Sequence, residues 1–556
     1  MEERTPTIVR ANSIVSQAKT RSGAQRSLAA RDSAASPTRD SAREPEALAV
    51  TGEIITASGT LAELRDRFPG AEVLDFGDST IIPGLNDAHI HLALTAGDAL
   101  HLDLSHEAVR TVPALLDTIA AEVGATSAGE WIKGSRYDDE KTGIVLRDEL
   151  DRIAPEVPVL VNHVAGHWGV VNSAGLRWLG IDEGSPDPDG GRYDRYPDGR
   201  LNGKLIERAL MNVLMPATAR GDRFIPGDTA EDLQLGAART IAKWNAAGLT
   251  SVCDALISPQ DIAIISAVRG QDALNLRIGM LLSIDHYDRA VDLGVGSGFG
   301  DDRLRLIGVK AFLDGAIGGR TCLLSEPFTD PAYQGVQTTS TEELRANVER
   351  VHADGNRIGV HANGDAAIRL VLDAFEDVSR RIPRPGLRHR IEHCSLIDDD
   401  ILERMHRLGA IAVPFAGYPG YHGGALNSWY GEERMQRMFA HRSFLDKDVT
   451  VAGSSDYPCG PYQPLFGLQS LVTRTGVDDG VTVGESQRVS AAEALSIFTL
   501  GSAEASGEES YKGRLAPGYL ADFTVLGDNP LTIDPHGISD IDVRATYVGG
   551  EQVYSG

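Results

Sequence analysis

The chain has 556 residues, of which 42% are hydrophobic and 24% charged, as in an ordinary globular protein that buries a large core. Its 53 Lys and Arg against 79 Asp and Glu give a net charge of −26. This charge argues against nucleic acid or an anionic membrane as the main partner, because phosphate-binding surfaces need clustered basic side chains.

Nothing in the sequence indicates export or a membrane anchor. No stretch approaches the ~20 apolar residues that span a bilayer, and "MEERTPTIVRANS" lacks the apolar core of a signal peptide. The four cysteines stand far apart, which does not fit a disulfide framework. The sequence therefore predicts a cytoplasmic protein with no membrane and no nucleic-acid partner.

Residues 1–80 and 506–556 both carry short alternating runs that are typical of β strands. The last of them, "VRATYVGGEQVY", predicts a hairpin with Gly-Gly at its turn. Two sets of strands at opposite chain ends predict one small β-sandwich domain built from both termini. Residues 16–45 are rich in Ser, Ala and Arg without apolar periodicity, and we expect a flexible segment there.

Residues 81–505 have an α/β pattern, in which short Val/Ile/Leu runs alternate with longer helical patterns. The eight runs are "TIIPGLNDAHIH", "GLTSVCDA", "LRIGMLLSID", "LRLIGVKAFLDG", "RIGVHANGD", "LRHRIEHC", "AIAVPFAG" and "VTVAGSSDYP". Eight βα units that close on themselves predict a (β/α)8 TIM barrel. The long gap at about 95–247 predicts an inserted lid subdomain, since a structureless loop of that length would be unusual.

The helix after the fifth run has the clearest pattern. Its apolar residues recur at helical spacing, and Asp365 stands where it could cap the start. These apolar residues are Ile368, Val371, Leu372, Phe375 and Val378.

The first run ends in two histidines, His89 and His91. Residues i and i+2 of a strand point to the same side, so both imidazoles would project into the barrel mouth, where TIM barrels keep their active sites. Two neutral imidazoles suit a divalent transition metal. Taken alone, the pair fits two hydrogen-bonded core histidines equally well.

Further polar residues stand at the ends of other runs. Lys310 lies inside the fourth, His361 and His393 follow the fifth and sixth, and Asp456 follows the eighth. Imidazole and carboxylate are ligands that zinc takes in proteins. The gathering of these residue types at one end of separate strands favours a metal site over scattered core residues.

Several motifs together resemble the amidohydrolase superfamily, in particular the YtcJ-like group (amidohydrolase family 3) that includes N-substituted formamide deformylases. The resemblance runs in order from about residue 47 to the end. It rests on "PGLNDAHIHL", "GHWGVVNSAGL", "VKAFLDGAIGGRT", "VHANGDAA", "RHRIEHC", "GSSDYP" and "KGRLAPGYLADFTVL". It implies a metal-dependent TIM barrel with a small terminal β-sandwich, in agreement with the pattern of runs.

The resemblance also implies roles for single residues. Four histidines correspond to metal ligands, and Asp456 corresponds to an aspartate that binds metal and accepts the proton of the attacking water. Lys310 stands where the superfamily often has an N6-carboxylysine that bridges two metals; an ammonium paired with Asp314 or another carboxylate is the alternative. The implied cofactor is one or two divalent ions, zinc being the expected metal, held by His89, His91, Lys310, His361, His393 and Asp456.

The implied reaction is hydrolysis of a C–N bond in a small amide, N-substituted formamide or cyclic amide. A divalent ion lowers the pKa of bound water from ~15.7 towards ~7; the hydroxide then attacks the carbonyl carbon, and Asp456 acts as general base and then general acid. His167, in the insertion, either donates to the developing oxyanion or is structural. The alternatives are a single-metal deaminase of an aminated heterocycle and a barrel that only binds a ligand.

Two segments depart from the family pattern. "VAGHWG" has Ala165 where relatives carry an acid, and "VPFAGYPGYHGG" lacks a usual Gln-Pro pair. Both should border the substrate pocket, so the substrate cannot be copied from a relative. Aromatic residues near the expected mouth hint at an apolar group, and a homo-oligomer such as a dimer is the default expectation. The aromatic residues are Trp168, Phe415, Tyr418, Tyr421 and Tyr457.

Overall fold

The structure is a computed structural model that describes residues 5–16, 44–127, 129–164, 168–188, 191–214, 224–271, 273–328 and 333–556. The predicted flexible segment 16–45 lies outside the described residues except at its two ends. The chain forms two compact units: one comprises Met1–His91, Ile241–Ile262 and Asp272–Gly556, and the other Leu92–Thr240 and Ala263–Gln271. Within the described part of the chain, no helix combines the length and the apolar character needed to cross a membrane.

The described residues of the amino-terminal segment are mainly β structure. The helix α1 (Leu61–Arg67) interrupts the strands and starts at a capping box in which Thr60 and Glu63 bind each other's backbone N–H groups. The strands are β1 (Thr7–Arg10), β2 (Ser13–Ile14), β3 (Ala47–Thr51), β4 (Ile54–Gly59), β5 (Glu72–Asp75) and β6 (Thr80–Pro83).

The next strand, β7 (Leu85–Ile90), belongs to the barrel, and the second compact unit follows it. The elements from here to the next barrel strand are α2 (Leu92–Thr95), β8 (Leu102–Asp103), α3 (Val112–Val123), β9 (Ile132–Tyr137), α4 (Asp139–Thr142), α5 (Arg147–Ile153), β10 (Val159–His163), β11 (Trp168–Val171), α6 (Ser173–Leu179), β12 (Gly191–Arg195), β13 (Leu201–Glu207), α7 (Arg208–Leu214) and α8 (Ala230–Ala246). Among the described residues, the strands of this unit form a mixed sheet in the order β12-β13-β11-β10-β9-β8. The main part of the unit spans Leu92–Thr240, while the insertion at about 95–247 and its role as a lid stay predictions.

The barrel strands are parallel and alternate with helices, which confirms the α/β barrel. The elements are β14 (Leu249–Ile257), α9 (Pro259–Gly270), β15 (Arg277–Ser283), α10 (Tyr287–Asp292), β16 (Leu304–Phe312), α11 (Thr341–Ala353), β17 (Ile358–Ala362), α12 (Asp365–Arg381), β18 (Arg390–His393), α13 (Asp399–Leu408), β19 (Ile411–Pro414), α14 (Tyr418–His422), α15 (Ala425–Tyr430), α16 (Glu432–Met435), α17 (His441–Asp446), α18 (Pro464–Thr473), α19 (Ala491–Ser496) and α20 (Ser502–Ser506). The strands of the barrel sheet follow the order β19-β18-β17-β16-β15-β14-β7.

The eighth predicted run differs from a regular strand. It forms a single parallel bridge from Val451 to Ala412 of β19 and another from Ser454 to Phe415, the residue that follows β19. On its other side, Ala88 N–H donates to the Gly453 carbonyl (2.8 Å) and Asp456 N–H donates to the His89 carbonyl (2.9 Å). The run therefore lies between the two ends of the seven-stranded sheet and nearly closes the ring, but without a continuous ladder.

The helix α12 shows where the sequence pattern succeeds and where it fails. All five apolar residues predicted on its inner face are buried. The prediction that Asp365 caps it is wrong: Gly364 is the capping residue, and Asp365 lies in the first turn. The Asp365 carboxylate instead accepts hydrogen bonds from the Ser325 N–H (2.9 Å) and hydroxyl, so a tertiary contact replaces the expected local cap.

The carboxyl terminus supplies β20 (Phe523–Leu526), β21 (Val543–Val548) and β22 (Glu551–Ser555). They extend a five-stranded sheet in the order β2-β6-β20-β21-β22, while a four-stranded sheet has the order β4-β3-β1-β5. Gly549 and Gly550 have φ values of 60° and 76°, as a tight hairpin turn between β21 and β22 requires. Both sheets contribute to one hydrophobic core but belong to the same compact unit as the barrel, so the boundaries of a separate terminal domain stay predictions.

Candidate metal centre

The two histidines at the end of β7 lie beside Asp456, as the sequence predicts. The potential ligand atoms of His89, His91 and Asp456 all lie within 4.8 Å of one another. Asp456 Oδ1 is 3.2 Å from His91 Nε2 and 3.5 Å from His89 Nε2. Lys310 Nζ lies 3.3 Å from His89 Nε2, so the fourth strand contributes to the same cluster.

The remaining two histidines extend this cluster. The His393 ring centroid is 4.7 Å from that of His89 and 4.5 Å from that of His361. His361 Nε2 lies 3.1 Å from the Gly315 carbonyl oxygen and 3.0 Å from Asn363 Nδ2. The structure thus brings all six predicted residues into one continuous cluster at the carboxyl ends of the strands, while their roles as ligands stay predictions.

Unusual backbone geometry brings two of these side chains into the cluster. Glu392 and His393 are neighbours on β18 and would face opposite sides of a regular strand, yet His393 has a φ of 69° and Asp456 a φ of 54°. Positive φ is unfavourable for non-glycine residues and is concentrated at functional sites. The strand therefore departs from regular geometry where the histidine joins the cluster.

Burial keeps the imidazoles of His89, His361 and His393 uncharged at neutral pH. Burial and the nearby positive charge of Lys310 lower the pKa of His361 to about 3. Burial likewise holds the pKa of His89 and of His393 well below the usual value of 6.5. The Lys310 pKa is lowered to about 8, mainly by burial. Neutral imidazoles with available lone pairs are the form in which histidine binds metals.

The residues fit a divalent metal ion. His393 Nδ1 is buried and has no hydrogen-bond partner in the described part of the chain, although leaving a buried polar atom unpaired costs about 1–3 kcal/mol. Imidazole nitrogens and a carboxylate at the open rim of a barrel match the ligand types of catalytic metal sites.

Among the described residues no ion pair joins Lys310 to Asp314, whereas the alternative of another carboxylate stays open. The carboxylate of Asp314 accepts backbone N–H groups of Leu323, Asn363 and Gly364, each at 2.9 Å. Lys310 instead lies against His89. The contacts of Asp314 therefore favour a structural role in holding the loops after β16 and β17.

Sequence reasoning missed three charged residues around the cluster. Glu392 Oε2 is 2.5 Å from His89 Nδ1, and Arg390 binds the same carboxylate through Nε (2.7 Å) and Nη2 (2.9 Å). Asp87 accepts the backbone N–H groups of His89 (3.0 Å) and Ser455 (3.1 Å), which ties β7 to the eighth run. The available signal for Arg390 and Glu392 was a pair of charged residues two positions apart inside a buried run, and for Asp87 it was an acidic residue two positions before His89.

Two of the predicted aromatic residues pack against the cluster, and one further aromatic residue lies beside it. Phe415 stacks on His393 (4.5 Å between centroids) and Tyr418 stacks on Phe415 (3.9 Å), and both are buried, so they pack the wall of the cluster. Phe312, which was not predicted, is 37% exposed at the end of β16. Its ring lies 5.2 Å from that of His361. An exposed aromatic side chain therefore borders the cluster.

A second group of potential ligands occurs in the inserted unit, at Asp138, Asp139 and His163. Asp138 caps α4 through the N–H groups of Glu140 and Lys141, and Asp139 lies 3.3 Å from His163 Nε2. These contacts give the group a structural role. The predicted catalytic residue His167 and the neighbouring Ala165 lie outside the described residues.

A parallel α/β barrel with such a donor set at its carboxyl-terminal rim is an architecture of metal-dependent hydrolases. The sequence profile of the amidohydrolase family matches residues 72–554. The chain therefore belongs to the amidohydrolase family, and the resemblance inferred from the motifs is confirmed.

Individual relatives match nearly the whole chain. The chain is 30% identical to an N-substituted formamide deformylase of Arthrobacter pascens, over 91% of this chain and 94% of that protein. It is 29% identical to YtcJ of Bacillus subtilis (strain 168), over 92% and 96% of the two chains. A crystal structure of an uncharacterised metal-dependent hydrolase from Pyrococcus horikoshii OT3 has a TM-score of 0.72 and 25% identity, and the match covers 89% of this chain and 95% of that chain.

Proposed function

We propose that the protein hydrolyses a non-peptide C–N bond of a small amide, N-substituted formamide or cyclic amide. The observation that carries the proposal is the cluster in which Asp456 lies beside His89 and His91, and His393 and His361 continue the group of imidazoles. The 30% identity to an N-substituted formamide deformylase supports this bond class over others.

The residues that would hold the metal are the four clustered histidines, Lys310 and Asp456. We propose one or two Zn²⁺ ions, which when bound supply a Lewis acid that polarises a carbonyl oxygen and lowers the pKa of water. With its pKa lowered to about 8, Lys310 has a larger fraction of neutral amine at neutral pH than an exposed lysine. That amine can add to CO2 and release a proton, which gives an anionic carboxylysine and would convert a poor ligand into a good one.

Asp456 is the proposed proton carrier of the reaction. Its Oδ1 lies 3.5 Å from the Nε2 atom of His89 and 3.2 Å from that of His91. From there it would accept the proton of the attacking water and transfer it to the leaving nitrogen as the C–N bond breaks. His167 remains the proposed donor to the developing oxyanion.

The side chain beside the cluster suggests the kind of substrate. Phe312 exposes part of its ring next to His361 and would contact an apolar N-substituent of the amide. We therefore expect N-benzyl or N-alkyl formamides to be better substrates than formamide itself. The cytoplasmic location and the homodimer stay predictions.

The decisive experiment is a substrate screen on the purified protein of known metal content. The panel contains N-substituted formamides, N-acyl amines, cyclic amides and aminated heterocycles. Release of formate or another carboxylate with an amine would support the proposal, and chelation should abolish it while added Zn²⁺ restores it. Ammonia released only from the heterocycles would indicate the deaminase instead, and full metal occupancy without turnover would indicate a binding protein.

A further inference from the structure

We propose that Glu392, held by Arg390, is a positioning residue that presents His89 to the metal ion. The inference rests on the proposed function, because it assigns a task to a residue that supports one of the proposed ligands. The charged side chains of Glu392 and Arg390 have no role in the proposed reaction steps.

The contacts of Glu392 are all directed to two side chains. The residue is fully buried. Its Oε2 lies 2.5 Å from His89 Nδ1 and 2.9 Å from Arg390 Nη2, and its Oε1 lies 2.7 Å from Arg390 Nε. A buried carboxylate is tolerated when its charge is paired and its oxygens are hydrogen-bonded, and Glu392 meets both conditions.

The contact with His89 determines which ring nitrogen carries the proton. A carboxylate accepts hydrogen bonds, so His89 Nδ1 must carry the proton and donate. The lone pair is then on Nε2, the nitrogen that lies 3.5 Å from Asp456 and 3.3 Å from Lys310 Nζ. A carboxylate on the outer nitrogen also orients the imidazole and raises its basicity as a ligand.

Arg390 fixes the other side of this arrangement. It is buried and forms a bidentate pair with Glu392. Its Nη2 also donates to the carbonyl of Ala88 (2.7 Å), and its Nη1 donates to the carbonyl of Ala505 (3.3 Å). Because Ala88 directly precedes His89, the same arginine that orients the glutamate also anchors the strand that carries the imidazole.

A purely structural alternative is that Glu392 only neutralises Arg390. Both interpretations predict some loss of stability when Glu392 is changed, so stability alone does not separate them. They differ in what a change of Glu392 does to metal binding. If Glu392 only neutralises Arg390, the change leaves metal affinity unaltered, whereas if it positions His89, metal affinity falls and the fall requires His89.

The test is the Zn²⁺ affinity of the purified protein, measured by competition with a chromophoric chelator for the parent and for Glu392→Gln. We expect the variant to bind Zn²⁺ about 10- to 100-fold more weakly, because an amide is a poorer acceptor for His89 Nδ1 than a carboxylate. Glu493→Gln is the matched control, since Glu493 is also buried and paired with an arginine (Arg442 Nη1, 2.8 Å) but has no part in the cluster.

A double-mutant cycle with His89→Ala shows whether Glu392 acts through His89. If it does, Glu392→Gln causes no further loss of Zn²⁺ affinity once His89 is removed. Should the Glu392→Gln variant fold poorly, Arg390→Met combined with Glu392→Gln removes both charges, and the same 10- to 100-fold loss is expected.

Two results would overturn the inference while the proposed function stands. One is an unchanged Zn²⁺ affinity in Glu392→Gln, and the other is a double variant whose loss of Zn²⁺ affinity equals the product of the losses in Glu392→Gln and His89→Ala. A parent protein that binds no Zn²⁺ would overturn both. Loss of affinity confined to the Glu392 variant, with Glu493→Gln unaffected, would support it.

Discussion

The barrel contains a second group of buried histidines, and its contacts contrast with those of the rim cluster, which comprises His89, His91, Lys310, His361, His393 and Asp456. His352 and His389 lie near the amino-terminal ends of β17 and β18. His352 Nδ1 lies 2.8 Å from His389 Nε2, and His352 Nε2 lies 2.7 Å from the Ile382 carbonyl oxygen. The Ile358 N–H donates to His389 Nδ1 (3.3 Å), so all four ring nitrogens have partners within the protein.

The comparison shows which property marks a ligand set. Burial lowers the pKa of both His389 and His361 to about 3, so a lowered pKa does not distinguish the two groups. An unpartnered nitrogen is not sufficient either, since His441 Nε2 is buried without a hydrogen-bond partner among the described residues. The rim cluster differs because it combines an unpartnered nitrogen, on His393, with further donor side chains around it.

The largest effect is expected from removing a ring of the rim cluster. His361→Ala should lower kcat/KM by at least about 10³-fold, because a metal ion contributes several kcal/mol to stabilising the transition state. Metal content, measured by mass spectrometry, should fall with it. Parental turnover and metal content in this variant would remove His361 from the ligand set.

Asp456→Asn should separate proton transfer from metal binding. We expect kcat to fall about 10²- to 10⁴-fold, because an amide cannot accept the water proton. The four imidazoles remain, so the variant should retain most of its metal. Turnover at the parental rate would show that another group is the base.

The arrangement of the rim was predictable in part from local pattern. The i, i+2 spacing of His89 and His91 and the positions of polar residues at run ends predicted where the cluster lies, and the apolar spacing predicted α12. Two features depend on information that a local pattern does not contain. The first is the left-handed φ of His393, because regular strand alternation would point this side chain away from the side that Glu392 faces. The second is the contact of Glu392 with His89, which joins residues 303 positions apart.

A change in the His352–His389 pair should lower stability and leave catalysis unchanged. His389→Phe removes the partners of His352 Nδ1 and of the Ile358 N–H, and each unpaired buried group costs about 1–3 kcal/mol. We expect the free energy of unfolding, measured by denaturant titration, to fall by that order, with metal content and kcat at parental values. A comparable loss of turnover would mean that the two histidine groups are not independent.

The smallest expected effect is a pH dependence of stability that belongs to His389. Its pKa is about 3 in the folded protein and about 6.5 when unfolded, so between these values the unfolded chain binds more protons. The stability associated with His389 is therefore complete above pH ~6.5 and is lost as the pH falls, by up to about 1.4 kcal/mol per pH unit. Other buried histidines titrate in the same range, so the measured quantity is the difference in slope between the parent and His389→Phe from pH 7 to 5. The variant should lose less stability per pH unit than the parent, whereas equal slopes would show that folding does not lower the pKa of His389.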